Sequence, residues 1–379
     1  MAGNRRWGKG LALGAALAGL AWWVSAGGRF SEEGQAGPRD HHGDGEFHNR
    51  YGGDIGKGSW EVLKWQFSRK SPPLPDPPLP RGQFERDAAL PNVTWIGHAT
   101  ALVRTQSLTV LTDPHFSERA SPVSWAGPKR LQPPGVALAD LPRVDVVLIS
   151  HNHYDHLDQA SVLALSRQAG GSPLFLVPLG VKAWFESLGI THVRELDWWQ
   201  EAEVKGVQLA LVPVHHWSAR GVLDRRQSLW GGFAIFDPQM DWVFTGDTGY
   251  APDFKEIRAR YDTRIGGGFD FALLPVGCYE PRDFMKQQHV NPSDAVQVFE
   301  DFAARQAVGV HWGTFVDLCD EPLDQAPKDL ATALKARGIE ASRFRVLPHG
   351  GTWALEGKAG RAQASAASAT PASGAAPAP

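Results

Sequence analysis

VDVVLISHNHYDHLD, residues Val144 to Asp158, is the stretch that decides the reading of this chain. Its first six residues are largely apolar and have the length of a buried strand. Four side chains that bind metals follow at once: His151, His153, Asp155 and His156. On extended chain, residues i and i+2 point the same way, so His151 and His153 can reach one ion. Asp155 and His156 come after the chain has left the strand and can turn towards a second ion nearby. The bland alternative is a set of ordinary buried histidines. It would crowd three imidazoles and a carboxylate together without partners, which is costly.

Working outward, further donors stand after other strand-like runs. His215 and His216 follow Val207 to Val212, Asp247 follows Trp242 to Phe244, and His311 follows Val308 to Val310. Each has a dull alternative when taken singly. Asp247 could be a turn residue in Thr245 to Gly249, His311 could pack on Trp312, and either His215 or His216 could lie on the surface. The joint arrangement favours ligands, because α/β folds bind at the ends of strands. Other strand candidates are Val93 to Ile96, Ala101 to Arg104, Leu108 to Leu111, Leu174 to Val177, Gly232 to Phe236 and Phe271 to Pro275. Helices are expected at Ser161 to Gln168 and at Asn291 to Gln306. Ser293 is the expected cap of the second, with Ala295, Val298, Phe299 and Phe302 on one face. The mixture predicts a layered α/β architecture.

The 379 residues, 42% hydrophobic and 21% charged, suffice for one large globular domain. A net charge of −3 with no long Lys/Arg run argues against a nucleic-acid partner. Cys278 and Cys319, the 2 cysteines, allow either one bridge or two unrelated thiols. Arg5, Arg6 and Lys9 precede an apolar run from Leu11 to Ala26. That is an export-signal pattern, short of the roughly 20 apolar residues of a comfortable span. Val24-Ser25-Ala26 offers a cleavage site, and Arg5-Arg6 is weakly like a twin-arginine signal. An uncleaved anchor and a buried helix are the alternatives. The expected division is 1–30 signal or anchor, 31–90 extension, 91–357 main domain and 358–379 Ala/Ser/Pro tail, the last disordered. Within the extension, His41 and His42 are read as solvated linker rather than metal ligands, and Ser71 to Pro80 as a Pro-rich strap.

Several segments, in this order along the chain, resemble one family. They are TWIGHAT (Thr94 to Thr100), LTDPHFSERASP (Leu111 to Pro122), SHNHYDHLD (Ser150 to Asp158), FLVPLG (Phe175 to Gly180), ELDWW (Glu195 to Trp199), GDTGY (Gly246 to Tyr250), YEPRDFMKQQHVNP (Tyr279 to Pro292) and HWGTF (His311 to Phe315). The donor pattern resembles the metallo-β-lactamase superfamily. The full set is similar to the N-acyl-phosphatidylethanolamine-hydrolysing phospholipase D family and its bacterial relatives, from about Phe47 to about Trp353. The resemblance implies a four-layer αββα sandwich, one domain with an N-terminal extension. It implies two zinc ions per chain, one held by His151, His153 and His216, the other by Asp155, His156 and His311, with Asp247 bridging. His216 is chosen over His215 because the family pattern is His followed by Trp, here Trp217; the role of His215 stays open. Asp113 is expected to orient a ligand histidine, and His98 to be structural or to orient a ligand. Asp155 is expected to be a ligand and proton acceptor for the attacking water. His289 resembles a family histidine that steadies the substrate phosphate, the alternative being a loop residue without a role.

The reaction so implied is phospholipase D-type hydrolysis of N-acyl-phosphatidylethanolamine-like lipids to N-acylethanolamine and phosphatidate. A lactonase or other small-ester hydrolase of the same fold is the first alternative, since fold does not fix substrate. A non-enzymatic zinc-binding membrane protein is the second, disfavoured because structural zinc usually takes four ligands. A nuclease is weaker still. The 15 Trp, with pairs at Trp22-Trp23 and Trp198-Trp199, favour a lipid interface. The expected partner is phospholipid at a membrane surface, with a homodimer compatible, in the inner membrane or periplasm of a bacterium.

Overall fold

The computed structural model describes residues 40–43, 45–55, 64, 71–221 and 223–358. The expected signal segment and the tail past residue 358 lie outside the described residues. Among the described residues, no helix is long and apolar enough to cross a membrane.

The strands, in chain order, are β1 (Asn92–Gly97), β2 (Thr100–Arg104), β3 (Thr109–Thr112), β4 (Lys129–Arg130), β5 (Val146–Leu148), β6 (Leu174–Pro178), β7 (Val193–Leu196), β8 (Glu201–Val204), β9 (Val207–Val212), β10 (Gly232–Phe236), β11 (Asp241–Phe244), β12 (Phe271–Pro275), β13 (Gln306–Val310), β14 (Phe315–Val316), β15 (Phe344–Val346) and β16 (Thr352–Ala354). They make two seven-stranded sheets, β16-β1-β2-β3-β5-β6-β7 and β15-β13-β12-β11-β10-β9-β8, and a separate two-stranded pair, β14-β4. Both large sheets are mixed: β3, β5, β6 and β7 run parallel, as do β11, β12, β13 and β15, and the remaining pairs are antiparallel.

The deciding stretch shows how the layers form. On a strand, successive side chains point to opposite faces. Val146 and Leu148 enter the large core between the sheets, with Leu209, Leu211, Phe233 and Ile235. Val147 and Ile149 face the other way, into a second core with Val162, Leu165 and Phe185. Those three lie on α1 (Gln159–Leu165) and α2 (Lys182–Ser187), which cover the first sheet. The second sheet is covered by α3 (Asp253–Ile265), α5 (Pro292–Asp301) and α6 (Gln325–Ala336), after the short α4 (Arg282–Met285). Phe254, Ile257, Phe299 and Leu330 are the side chains these helices bury. The result is the αββα sandwich the resemblance implied.

Two expectations change, and one open alternative is settled. The helix expected to run to Gln306 ends at Asp301, and its cap is Asn291 rather than Ser293. Asn291 accepts from the Asp294 N–H while Asp294 accepts from the Asn291 N–H, and Pro292 opens the helix with its fixed φ. After Asp301 the chain reverses through Ala303, at φ 46°, so that Gln306 can begin β13. Secondly, the stretch around His41 and His42 is docked rather than a solvated linker. Both imidazoles meet Asp197, Phe47 packs on the main core, and Asn49 is fully buried. Thirdly, the two cysteines are one bridge, Cys278–Cys319, with Cα atoms 5.1 Å apart. It ties the chain after β12 to the loop after β14.

Candidate metal centre

The seven expected donors converge from the ends of four strands. β5 delivers His151, His153, Asp155 and His156, β9 delivers His216, β11 delivers Asp247 and β13 delivers His311. His151, His153 and His216 form one group whose donor atoms all lie within 4.8 Å of one another. Within it, His151 Nε2 is 2.8 Å from His153 Nδ1, and His216 Nε2 is 3.4 Å from the same atom. Asp155, His156 and His311 form a second group, which includes His98. Asp247 stands between the two. Its Oδ2 is 3.0 Å from His156 Nε2, 3.9 Å from His216 Nε2 and 4.0 Å from His151 Nε2, and its Oδ1 is 3.1 Å from His311 Nε2.

The local backbone makes this convergence feasible. Gly246, at φ +61°, precedes Asp247, and a Cβ there would meet Ser150 Cβ at 2.4 Å. His311, at φ 65°, and His98, at φ 54°, turn sharply at the strand ends, a conformation uncommon outside glycine and frequent at functional sites. The His311 N–H donates to the His98 carbonyl, which links the two turns.

Ring tautomers follow from what each remote nitrogen meets. The Ser150 hydroxyl donates to Asp113 Oδ2 at 2.6 Å, so it accepts from His151 Nδ1–H at 2.9 Å. His156 Nδ1–H donates to the same carboxylate at 2.6 Å, and His216 Nδ1–H donates to the Gln288 carbonyl at 3.0 Å. His151 and His216 therefore direct a bare Nε2 at the centre, as a ligand must, whereas His156, held well above its ordinary value against burial by Asp247 and Asp155, has to give up its Nε2 proton to bind a cation. Asp113 orients His156, as expected of it, and reaches His151 through Ser150 as well. His98 differs: its Nε2 is 2.9 Å from Asp155 Oδ2, and a carboxylate can only accept, so Nε2 carries the proton. His98 thus holds Asp155 in place and is not a ligand in this arrangement.

Electrostatics agree with a cation-binding role. Burial, with the neighbouring imidazoles, holds His151 well below its ordinary value, and burial takes His153 and His216 down to about 3. Burial opposes charge on Asp155 and Asp247, yet the facing imidazoles, led by His156, hold both carboxyls well below the usual range. Burial also opposes charge on His311, but Asp247 and Asp155 raise it to about 9. Two neighbouring carboxylates kept ionised inside a protein need nearby positive charge. The fit to metal is direct: His156 Nε2, His311 Nε2 and Asp247 Oδ1 are buried and make no hydrogen bond with acceptable geometry, although they lie 3.0 to 3.1 Å from one another's groups. They point at a shared interior rather than at each other.

His289 also reaches the centre. Its Nδ1 is 3.8 Å from Asp247 Oδ2, and its ring lies 5.4 Å from those of His216 and His311. His215 turns away, its Nδ1–H donating to the Gln287 carbonyl at 2.6 Å. Sequence reading missed Ser150, Asn49 and Gln288 as supports. Asn49 grips His216 both ways: its amide donates to the His216 carbonyl at 2.9 Å and its Oδ1 accepts the His216 N–H at 3.0 Å. The signal that could have found Gln288 was its place beside His289 in the QQHVNP segment; Asn49, far upstream, offered none.

Comparison with known proteins follows the same lines. A family model described as the beta-lactamase superfamily domain matches residues 109–312, more than half the chain. An N-acyl-phosphatidylethanolamine-hydrolyzing phospholipase D 1 from Caenorhabditis elegans is 40% identical over 59% of this chain and 64% of its own length, so the match spans less than two thirds of that relative. A metal-dependent hydrolase from Methanopyrus kandleri is 25% identical over 65% of this chain and 93% of its own. Among solved structures, an isothiocyanate hydrolase from Delia radicum gut bacteria superposes with a TM-score of 0.55 at 20% identity, over 70% of this chain and 99% of that one, a likeness of fold alone. With the two-sheet sandwich and the clustered donors already in place, the match shows that this chain belongs to the metallo-β-lactamase superfamily, among its metal-dependent hydrolases.

Proposed function

We propose that the chain is a two-zinc phosphodiesterase of phospholipase D type, acting on N-acylated phosphatidylethanolamine at a membrane surface. The observation that carries this reading is Asp247, whose carboxylate lies 3.0 and 3.1 Å from His156 and His311 of one donor group and 3.9 and 4.0 Å from His216 and His151 of the other. One carboxylate between two donor groups is the arrangement of a dinuclear centre. Divalent cations held by His151, His153 and His216 and by Asp155, His156 and His311 would supply Lewis acidity and lower the pKa of a water there. The protein's own residues do the rest. Asp113, Ser150 and Gln288 fix the tautomers of three ligands. His98 aims Asp155 through its Nε2–H, while His156 and His311 keep that carboxylate ionised as a ligand must be. His289 is held near 3 by burial, so it is neutral at pH 7 and positions an N–H or a lone pair beside the reacting phosphate.

The lipid rests on the similarity to the nematode phospholipase, 40% identical over 232 residues. Membrane association, and export directed by the segment from Arg5 to Ala26, belong to the same reading. The deciding experiment compares metal-replete protein on vesicles of N-acylated phosphatidylethanolamine, on a soluble phosphodiester and on a lactone, with products identified by mass spectrometry. Phosphatidate and N-acylethanolamine from vesicles are expected. Faster turnover of the lactone or soluble diester, with no phosphatidate, would overturn the lipid reading.

A further inference from the structure

On the far side of the first sheet's edge, a second group of donors closes on one carboxylate. His41 Nε2 lies 2.6 Å from Asp197 Oδ1, and His42 Nε2 lies 2.8 Å from Asp197 Oδ2. The three donor atoms all fall within 4.8 Å of one another. We propose that His41, His42 and Asp197 form a separate cation site that takes a divalent ion of the zinc class and pins the N-terminal extension to the turn after β7. Neither the phosphodiesterase reading nor the occupancy of the main centre is needed for this inference.

Three features support it. The donor set is two imidazoles and a carboxylate, which suits zinc and its neighbours rather than magnesium or calcium, whose sites are built from oxygen. The geometry is nearly right. A tetrahedral zinc site with bonds of about 2.0 to 2.2 Å places its donors about 3.3 Å apart. Each imidazole therefore needs to withdraw from the carboxylate by roughly 0.5 to 1 Å, with water completing the fourth position. The distances between facing donors at the main centre, such as 2.8 Å between His151 and His153 and 3.0 Å between His156 and Asp247, are of the same size. Lastly, the donors are held in advance. The His41 ring stacks on Trp198 at 4.4 Å between centroids, Trp198 Nε1–H is anchored on the Trp230 carbonyl, and Asp197 Oδ1 accepts the Trp198 N–H at 2.7 Å. His42 is further constrained by its bridge to Phe47, whose N–H donates to the Arg226 carbonyl.

The site has a consequence for the main centre. Seven residues after His42 comes Asn49, which grips the backbone of His216 from both sides. Arg50 then pairs with Asp253 at 2.8 Å. An ion at His41, His42 and Asp197 shortens the free length of this extension and so keeps the Asn49 brace in register.

The test uses the full-length protein, equilibrated by dialysis against micromolar zinc chloride and analysed for metal per chain. Wild type should hold one ion more than His42→Ala and one more than Asp197→Asn. His42 has a side chain 48% exposed, so its loss does not threaten the fold. Equal metal content in wild type and His42→Ala overturns the site. The absolute content of the variant reads the main centre by itself, so failure there shows separately. A second readout is limited proteolysis of the extension: zinc should protect residues 40–55 in wild type but not in His42→Ala. Cleavage of wild type that is indifferent to zinc counts equally against the proposal.

Discussion

At the scale of single residues, the centre depends on side chains that never touch a cation. Asp113 receives both the Ser150 hydroxyl and the His156 ring proton, so one carboxylate sets the tautomers of two ligands. Asp113→Asn keeps the shape but turns one oxygen into an NH2, so it can no longer accept both at Oδ2, from the Ser150 hydroxyl and the His156 ring, and at Oδ1, from the Ser150 N–H. Zinc affinity, measured by competition with a chelator, should fall about 10- to 100-fold, the usual cost of removing a partner of a ligand, while the circular dichroism spectrum stays native. Unchanged affinity would mean that the ligand tautomers are fixed elsewhere. His349 gives a pH test away from the ligands. Its Nδ1 accepts from Gln132 at 2.7 Å and its Nε2–H donates to Thr314 at 3.0 Å, an arrangement complete for the neutral ring. Burial, with the charges of Arg130 and Arg81, holds it at about 3 against an ordinary 6.5. The folded state therefore takes up fewer protons than the unfolded chain. The contribution is fully present above pH 6.5 and is lost progressively as pH falls towards about 3. His349→Gln should show a shallower loss of Tm over that range than wild type, and parallel curves would contradict it. The candidate donors were legible because their types are rare and their spacing dense. The Asn49 brace was not, because it depends on a contact 167 residues away.

Among the elements, β5 was legible because its alternation and the polar cluster after it agree. The helix before β13 was only half legible. Ser293 and Asn291 are both good caps, and the hydrophobic face continues to Phe302, so nothing local marks the end. Pro292 decides the start, since it fits the first helical turn and so places the cap at Asn291. This cap matters to the centre, because Gln288 and His289 occupy the short loop just before it. The loop is held further by Arg282, whose guanidinium donates to the His289 carbonyl at 2.7 Å and pairs with Asp294. Asn291→Ala removes the acceptor for the Asp294 N–H and should cost about 1 kcal/mol. In a chain of this size that is about 1 to 2 °C in Tm. Because the loop carries His289, the Michaelis constant for a phosphodiester substrate should rise more than the turnover number falls. A stability loss with kinetics untouched would show that the cap serves the helix alone.

For the whole molecule, the placing of donors makes metal binding part of folding. Four donors follow β5 in the first sheet, and His216, Asp247 and His311 follow strands of the second. No single sheet can assemble both ion sites. The sandwich itself was legible through the order of the motifs, whereas the docked extension was not. Its Gly, His and charged composition reads as linker, and its anchors, such as His41 on Asp197, are 156 residues apart in sequence. The same distribution predicts how the molecule responds to chelation. Cations that bind only the folded state stabilise it by on the order of 4 kcal/mol each at a free concentration a thousand times the Kd. Two such ions in a chain of this length correspond to a fall on the order of 10 °C in Tm when they are removed. Ethylenediaminetetraacetate should therefore lower the Tm of wild type markedly, and excess zinc should restore it. Asp247→Ala should melt low from the outset and respond little to either reagent, because the residue between the two donor groups is gone. His42→Ala, which keeps every donor of the main centre and loosens only the Asn49 brace, should keep most of the wild-type response. A wild-type Tm indifferent to chelation, in protein shown by elemental analysis to have lost its metal, would mean that the two sheets associate without help from the ions, and the link drawn here between folding and the centre would fail.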